Sequence, residues 1–193
     1  MGFIYLFIYL FIRRARHKIR RVAVIEVFFD GESQGVLEWA LIGQHNIENA
    51  VMAIAAARHV GVKPSAAIDA LTRFVPPKRR LELLGTVHGV SVYDDFAHHP
   101  TAIQTTLDGL RKQVGNERIV AIVEPRSNTM RLGVHKEALP ASLKQANQVF
   151  LFEPANSGWS LADVANAIGS QAEVGTDITA LVARIVDQAQ SGD

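Results

Sequence analysis

Four ionisable groups, Asp94, Asp95, His98 and His99, fall within six residues. The carboxylates end the apolar run Val90–Tyr93, and Pro100 follows the imidazoles. Proline suits the first position of a helix, where its missing N–H costs nothing. Acid and base groups are thus gathered where a strand hands over to a helix, the place where open α/β sheets bind ligands. Neighbouring strand residues point to opposite faces, so at most one of Asp94 and Asp95 can face a given ligand. The same limit applies to His98 and His99. A carboxylate at this position can bind a ribose hydroxyl or a metal-bound water, and an imidazole can take a proton from an ammonium nucleophile. The alternative is a hydrogen-bonded helix cap, but four titratable groups are more than a cap requires.

Three further clusters have polar chemistry to offer. In Gly43-Gln44-His45-Asn46-Ile47-Glu48-Asn49 the glycine permits a tight turn, and Asn46 is the expected N-cap of the helix that follows. Asn46 and Asn49 lie three apart and share a helix face, where two amides can match the donor and acceptor edge of a purine. Pattern alone leaves open a capped helix with a polar first turn. The run Lys78-Arg79-Arg80-Leu81-Glu82 places three cations after Pro76-Pro77, able to clamp phosphates or ribose hydroxyls, or else to be a solvated linker. The run Glu124-Pro125-Arg126-Ser127-Asn128-Thr129-Met130-Arg131 follows the apolar strand Ile119–Val123. Arg126 and Arg131 there can pair with substrate carboxylates, or the stretch is a polar surface loop.

The elements needed to position these groups follow from the hydrophobic pattern. Residues 22–29 and 35–42 read as strands joined by Asp30-Gly31, a strong hairpin signal. Helices are expected at about 46–60, with Gly61 past the end, and from Pro64 to near Phe74. Pro76-Pro77 marks a domain boundary. Beyond it, strands are expected at 81–87, 90–95, 118–123, 148–152 and 171–174. Helices are expected at about 100–113, 135–146, 160–168 and 177–190. Continuous apolar runs such as Ile119–Val123 and Val149–Phe152 suit strands buried on both faces. The β-α rhythm argues for a doubly wound α/β domain with a mostly parallel sheet flanked by helices.

Composition excludes several functions. The chain has 193 residues, 48% hydrophobic and 20% charged, with a net charge of +1, so no global charge invites nucleic acid. It has no cysteine, which removes disulfides, thiolate metal sites and cysteine nucleophiles. No G-x-x-x-x-G-K-[ST] phosphate loop, G-x-G-x-x-G fingerprint, H-E-x-x-H or G-x-S-x-G occurs. The apolar stretch Gly2–Ile12 precedes a basic block from Arg13 to Arg21. As a helix it would span about 17 Å against a hydrocarbon core of about 30 Å, too short for a membrane crossing. A secretory signal would carry its basic residues first. Residues 1–21 are therefore expected to be a poorly structured or non-native start, with a buried strand or helix as the alternative and a membrane anchor the least favoured reading.

Taken in order, G-Q-H-N-I-E-N-A, P-P-K-R-R-L-E, Y-D-D-F-A-H-H-P-T-A-I and V-E-P-R-S-N-T-M-R-L-G resemble the C-terminal part of the Mur ligases, over about residues 28 to 193. The first motif is general to that family. D-D-F-A-H-H-P is similar to the alanine-adding branch, which usually has tyrosine at Phe96. E-P-R-S-N-T-M resembles the branch that joins L-alanyl-γ-D-glutamyl-meso-diaminopimelate to UDP-N-acetylmuramate. The resemblance implies a cytoplasmic, ATP-dependent, ADP-forming ligase of peptidoglycan recycling, assisted by Mg2+, in which an amine attacks an acyl phosphate. It implies a Rossmann-like C-terminal domain over 77–193, lacking its last strand, preceded by a remnant of the central ATPase domain over 22–76. Asn46 and Asn49, with His45 beside them, match positions that contact adenine. Arg80 and Asp95 match those on the ribose and phosphate side. His98, His99 and Arg126, with Ser127, Asn128, Thr129 and Arg131 in the same loop, match the region that receives the incoming peptide. No metal ligand carries over. The UDP-binding domain and the G-T-H-G-K-T phosphate loop are missing, so the resemblance implies a fragment that is inactive alone. A fragment of the L-alanine-adding ligase and a non-catalytic peptide- or nucleotide-binding module are the alternatives.

Overall fold

A computed structural model describes residues 8–13, 23–39, 41–155 and 157–189. The chain divides into two compact units, one ending at Pro77 and one running from Lys78 onward, the latter taking in the strand at 8–13.

The smaller unit is a hairpin of β2 (Ala23–Phe29) and β3 (Glu32–Trp39) with helices α1 (Gln44–His59) and α2 (Pro64–Thr72). Asp30 and Gly31 both take positive φ, as a tight hairpin turn demands. Alternation along β3 sends Leu37 and Trp39 inward against Ala50 and Ile54 of α1 and Ala67 and Ile68 of α2. Phe74 closes edge-on against Trp39 at 6.1 Å. The N-cap of α1 is Gly43, not Asn46. Asn46 sits inside the first turn, where its amide donates back to the Ile42 carbonyl at 2.7 Å. Gly43 at φ +95 makes the bend that places the helix start earlier than expected. The second strand ends at Trp39 rather than residue 42, and Ala40 lies outside the described residues.

The larger unit is an α/β sheet in the order β4-β5-β1-β6-β7-β8. Its strands are β1 (Ile8–Arg13), β4 (Glu82–Val87), β5 (Val90–Asp95), β6 (Ile119–Val123), β7 (Gln148–Phe152) and β8 (Ala172–Gly175). β6, β7 and β8 pair in parallel. β5 and β6 each pair antiparallel with β1 and so share one direction. β4 and β5 form a hairpin turned by His88 and Gly89, both at positive φ. Helices α3 (Pro100–Val114), α6 (Ala162–Ile168) and α7 (Ile178–Gln188) flank the sheet, with short α4 (Asn128–Arg131) and α5 (Leu139–Ser142). Ile103, Leu107 and Leu110, one stripe of α3, are fully buried. Phe150 and Val120 pack with Leu181 and Ile185 of α7.

Two expectations change here. Residues 8–13 are an internal strand between β5 and β6, the alternative reading of that segment. Its β-branched and aromatic types suit that role. Residues 1–7 and 14–22 lie outside the described residues, and no described helix is long and apolar enough to cross a membrane. The single helix expected at 135–146 is one turn, α5, between hydrogen-bonded turns. Pro140 has no N–H and obstructs the carbonyl of Lys136, so a continuous helix cannot form through it. In its place the chain forms α4 earlier, capped by Ser127.

Candidate functional site

The larger unit assembles its polar residues at the C-terminal ends of β5 and β6. Arg79 and Leu81, both at positive φ, make the bend that leads into β4. The bend is fastened to the end of β5 by the two aspartates. Arg79 Nε donates to Asp94 Oδ2 at 3.0 Å, and the Leu81 N–H donates to Asp95 Oδ2 at 2.7 Å. Asp95 Oδ1 accepts from the Ala97 N–H at 2.8 Å and from Thr106 Oγ1 of α3 at 3.4 Å. Both aspartates are buried. Burial pushes the Asp95 carboxyl above its ordinary value, against the opposing effects of the Ala97 and Leu81 amides, the Arg80 charge and Thr106. Asp95 is therefore a hub whose oxygens are already engaged by protein donors. Arg80, exposed on the same bend, is the cation near it that projects outward. Arg79 is committed to Asp94 and lies 5.6 Å over the Phe96 ring.

The two histidines differ in a way the sequence does not reveal. His98 is exposed, packs its ring at a tilt against Phe96 at 4.9 Å, and places Nδ1 3.0 Å from the Phe96 carbonyl. A carbonyl only accepts, so Nδ1 carries the proton and a neutral ring presents the Nε2 lone pair. His99 is the N-cap of α3, its Nδ1 accepting from the Thr101 N–H at 3.2 Å. A neutral His99 then holds its proton on Nε2 and presents a donor. Its ring meets His135 edge-on at 4.3 Å. His135 was not among the expected site residues; nothing in its local sequence marks it, because α3 and the segment after α4 meet only in the fold.

The loop after β6 adjoins these groups. Ser127 Oγ lies 3.4 Å from the His98 carbonyl and caps α4 by accepting from the Met130 N–H. Ser127, Asn128, Thr129 and Arg131 thus belong to one turn beside His98, with Met130 turned into the core. Arg126 is 44% exposed and is tethered through Nε to Glu124 Oε1 at 3.1 Å, which leaves its outer edge for a ligand. Burial raises the Glu124 carboxyl above its ordinary value, and Arg126 opposes that rise.

In the smaller unit Asn49 is exposed on α1, whereas Asn46 is half-buried and already donates to Ile42. His45 is half-buried with Nδ1 enclosed and without a hydrogen-bond partner. Among the described residues no three His, Asp or Glu side chains gather as a metal site. Arg80 in the larger unit is an exposed cation and Asn49 in the smaller an exposed amide, and the sequence has no glycine-rich phosphate loop.

Residues 79–193, which carry these polar strand ends at β5 and β6, match the family model for the Mur ligase glutamate ligase domain. The chain belongs to the Mur ligase family. It is 52% identical over 169 residues to the UDP-N-acetylmuramate--L-alanyl-gamma-D-glutamyl-meso-2,6-diaminoheptandioate ligase of Escherichia coli (strain K12), covering 87% of this chain and 37% of that protein. It is 33% identical over 185 residues to the UDP-N-acetylmuramate--L-alanine ligase of Acaryochloris marina (strain MBIC 11017), covering 88% of this chain and 38% of that protein. A crystal structure of a murein peptide ligase from Psychrobacter arcticus 273-4 superposes with a TM-score of 0.65 at 37% identity, over 95% of this chain and 39% of that one. The chain thus spans under two-fifths of the length of these relatives.

Proposed function

We propose that this chain is the C-terminal, peptide-receiving part of an ATP-dependent ligase that joins L-alanyl-γ-D-glutamyl-meso-diaminopimelate to UDP-N-acetylmuramate in the cytoplasm. The observation that carries the reading is the 52% identity to the tripeptide ligase, against 33% to an alanine-adding ligase, over similar shares of this chain. The geometry supports it. A peptide with several carboxylates needs more than one cation, and Arg126 and Arg131 flank one capped turn. The His98 backbone adjoins that turn through Ser127, and its ring offers Nε2 as a proton acceptor for the incoming ammonium. His99 serves as a donor and helix cap, and Asp95 acts through the Leu81 and Ala97 backbone that it holds. Within the larger unit, Arg80 is the exposed cation suited to the ribose and phosphate side of a nucleotide. ATP would supply the phosphoryl group that activates the muramyl carboxylate.

Calorimetric titration of the chain with the tripeptide and with L-alanine tests the assignment. Tripeptide binding that Arg126→Ala weakens by about tenfold or more, the scale of a charge-assisted bond, is expected. L-alanine binding at least as tight as the tripeptide would reverse the choice of substrate. The chain alone is expected neither to hydrolyse ATP nor to form product, because its sequence contains no phosphate loop. Ligation by the purified 193-residue chain would overturn that expectation.

A further inference from the structure

The turn carrying Arg126 to Arg131 cannot hold its own shape. α4 is four residues long, and one hydrogen-bonded turn is not stable in isolation. Its position is fixed from outside, by the loop that follows β7. The Trp159 indole N–H donates to the Met130 carbonyl at 2.7 Å, a second donor beside the Gly133 N–H that the same carbonyl accepts at 3.0 Å. The face of the same indole lies against Gly133, which has φ +70. A Cβ at Gly133 would come within 3.2 Å of Trp159 Cδ1 and Cγ. At Gly158 a Cβ would lie 3.1 Å from the Arg131 carbonyl oxygen, so the two loops meet backbone to backbone. The Trp159 turn is itself braced. Ser157 Oγ donates to the Trp159 carbonyl at 2.6 Å, and the Glu153 carboxylate accepts the Leu161 N–H at 2.5 Å.

We propose that Trp159 is a positioning residue for the peptide site: its indole locks the Met130–Gly133 segment so that Arg131 and Arg126 present their charges at a fixed spacing to a polycarboxylate peptide. This rests on the peptide-receiving reading above. Trp159 touches no reacting atom; it acts through the loop. A rigid turn binds more tightly than a mobile one because the ordering cost is already met.

The test uses the full 193-residue chain and two variants. Trp159→Phe keeps a ring but loses the N–H, and Gly133→Ala forces the ring away from the turn. Amide hydrogen exchange is measured at residues 131–134, together with calorimetric titration of the tripeptide. Both variants are expected to exchange about tenfold faster at those amides, the scale of one lost hydrogen bond, and to bind the tripeptide about tenfold more weakly. Their thermal midpoints should stay within a few degrees of the parent. Unchanged exchange in both variants overturns the lock, whatever the peptide does. Faster exchange with unchanged tripeptide affinity overturns the positioning role. A parent chain that binds no tripeptide sinks the peptide-receiving reading instead, and the exchange data then still decide whether the lock exists.

Discussion

Replacing Asp95 examines the structural centre of the site. Its carboxylate accepts the Leu81 N–H at 2.7 Å and the Ala97 N–H at 2.8 Å, in a position only 5% exposed. In Asp95→Ala both backbone donors lose their acceptor, at about 1–3 kcal/mol each. Relief from burying a charge offsets part of that, leaving a net loss of about 3 kcal/mol. For a chain of this size about 2–4 °C accompanies each kcal/mol, so the midpoint should fall by about 6–12 °C. Asp95→Asn keeps one acceptor oxygen and should lose about half as much. Thr106→Val removes only the long 3.4 Å contact and should cost under about 1 kcal/mol. Linkage sets the pH dependence. The folded carboxyl is raised above its unfolded value, so the folded state binds more protons in the window between the two. The contribution of Asp95 titration is then greatest on the acid side and falls as pH rises through the raised value. The deficit of Asp95→Asn should accordingly shrink from acid towards neutral pH. Thermal unfolding followed by circular dichroism reads all of this. Midpoints of the Ala and Asn variants within about 1 °C of the parent would refute the hub.

Other perturbations have equally definite outcomes. The Arg111 guanidinium donates to the carbonyls of Gly115, Glu117 and Gln145 and to Asn147 Oδ1; Arg111→Lys cannot reproduce that fork and should lower stability by about 1–3 kcal/mol in urea unfolding. Glu124 is raised above 4.5 by burial, so its contribution to stability falls as pH rises through the raised value; Glu124→Gln should remove that slope from a plot of midpoint against pH, and an unchanged slope would show that Glu124 is not its source. A Cβ at Gly175 would lie 2.7 Å from Leu181 Cδ1 and 3.2 Å from its Cβ, so Gly175→Ala should push α7 off β8 at a cost of about 1–3 kcal/mol, read by denaturant midpoint. Phe150→Ala should cost about 3–5 kcal/mol by the same measurement, since that ring is 1% exposed on β7, between β6 and β8.

Sequence alone was enough for the strands and helices whose signals are local. Asp30-Gly31 and His88-Gly89 announce hairpins because only a few residue types accept positive φ there, and both turns are present. The apolar runs at 119–123 and 148–152 became β6 and β7, and Pro100 opened α3. The four polar clusters were legible for the same reason: each is short and contiguous. Where two local signals competed, the one that constrains the backbone won. The helical periodicity at 135–146 was overruled by Pro140, and Asn46 gave up the cap to Gly43.

Tertiary structure decided what each polar group is free to do. His98 and His99 are neighbours of identical type, yet one turns Nδ1 to a carbonyl and the other to an amide, so they present opposite hydrogen-bonding faces. Asp95 is an inward brace rather than an open ligand because the Leu81 amide reaches it from fourteen residues away. Trp159 touches Met130 from a different loop, a contact no spacing encodes. The chain's order of residue types fixes which chemistry is available and on which element. Which lone pair or proton faces outward depends on donors and acceptors that only folding brings within hydrogen-bonding distance.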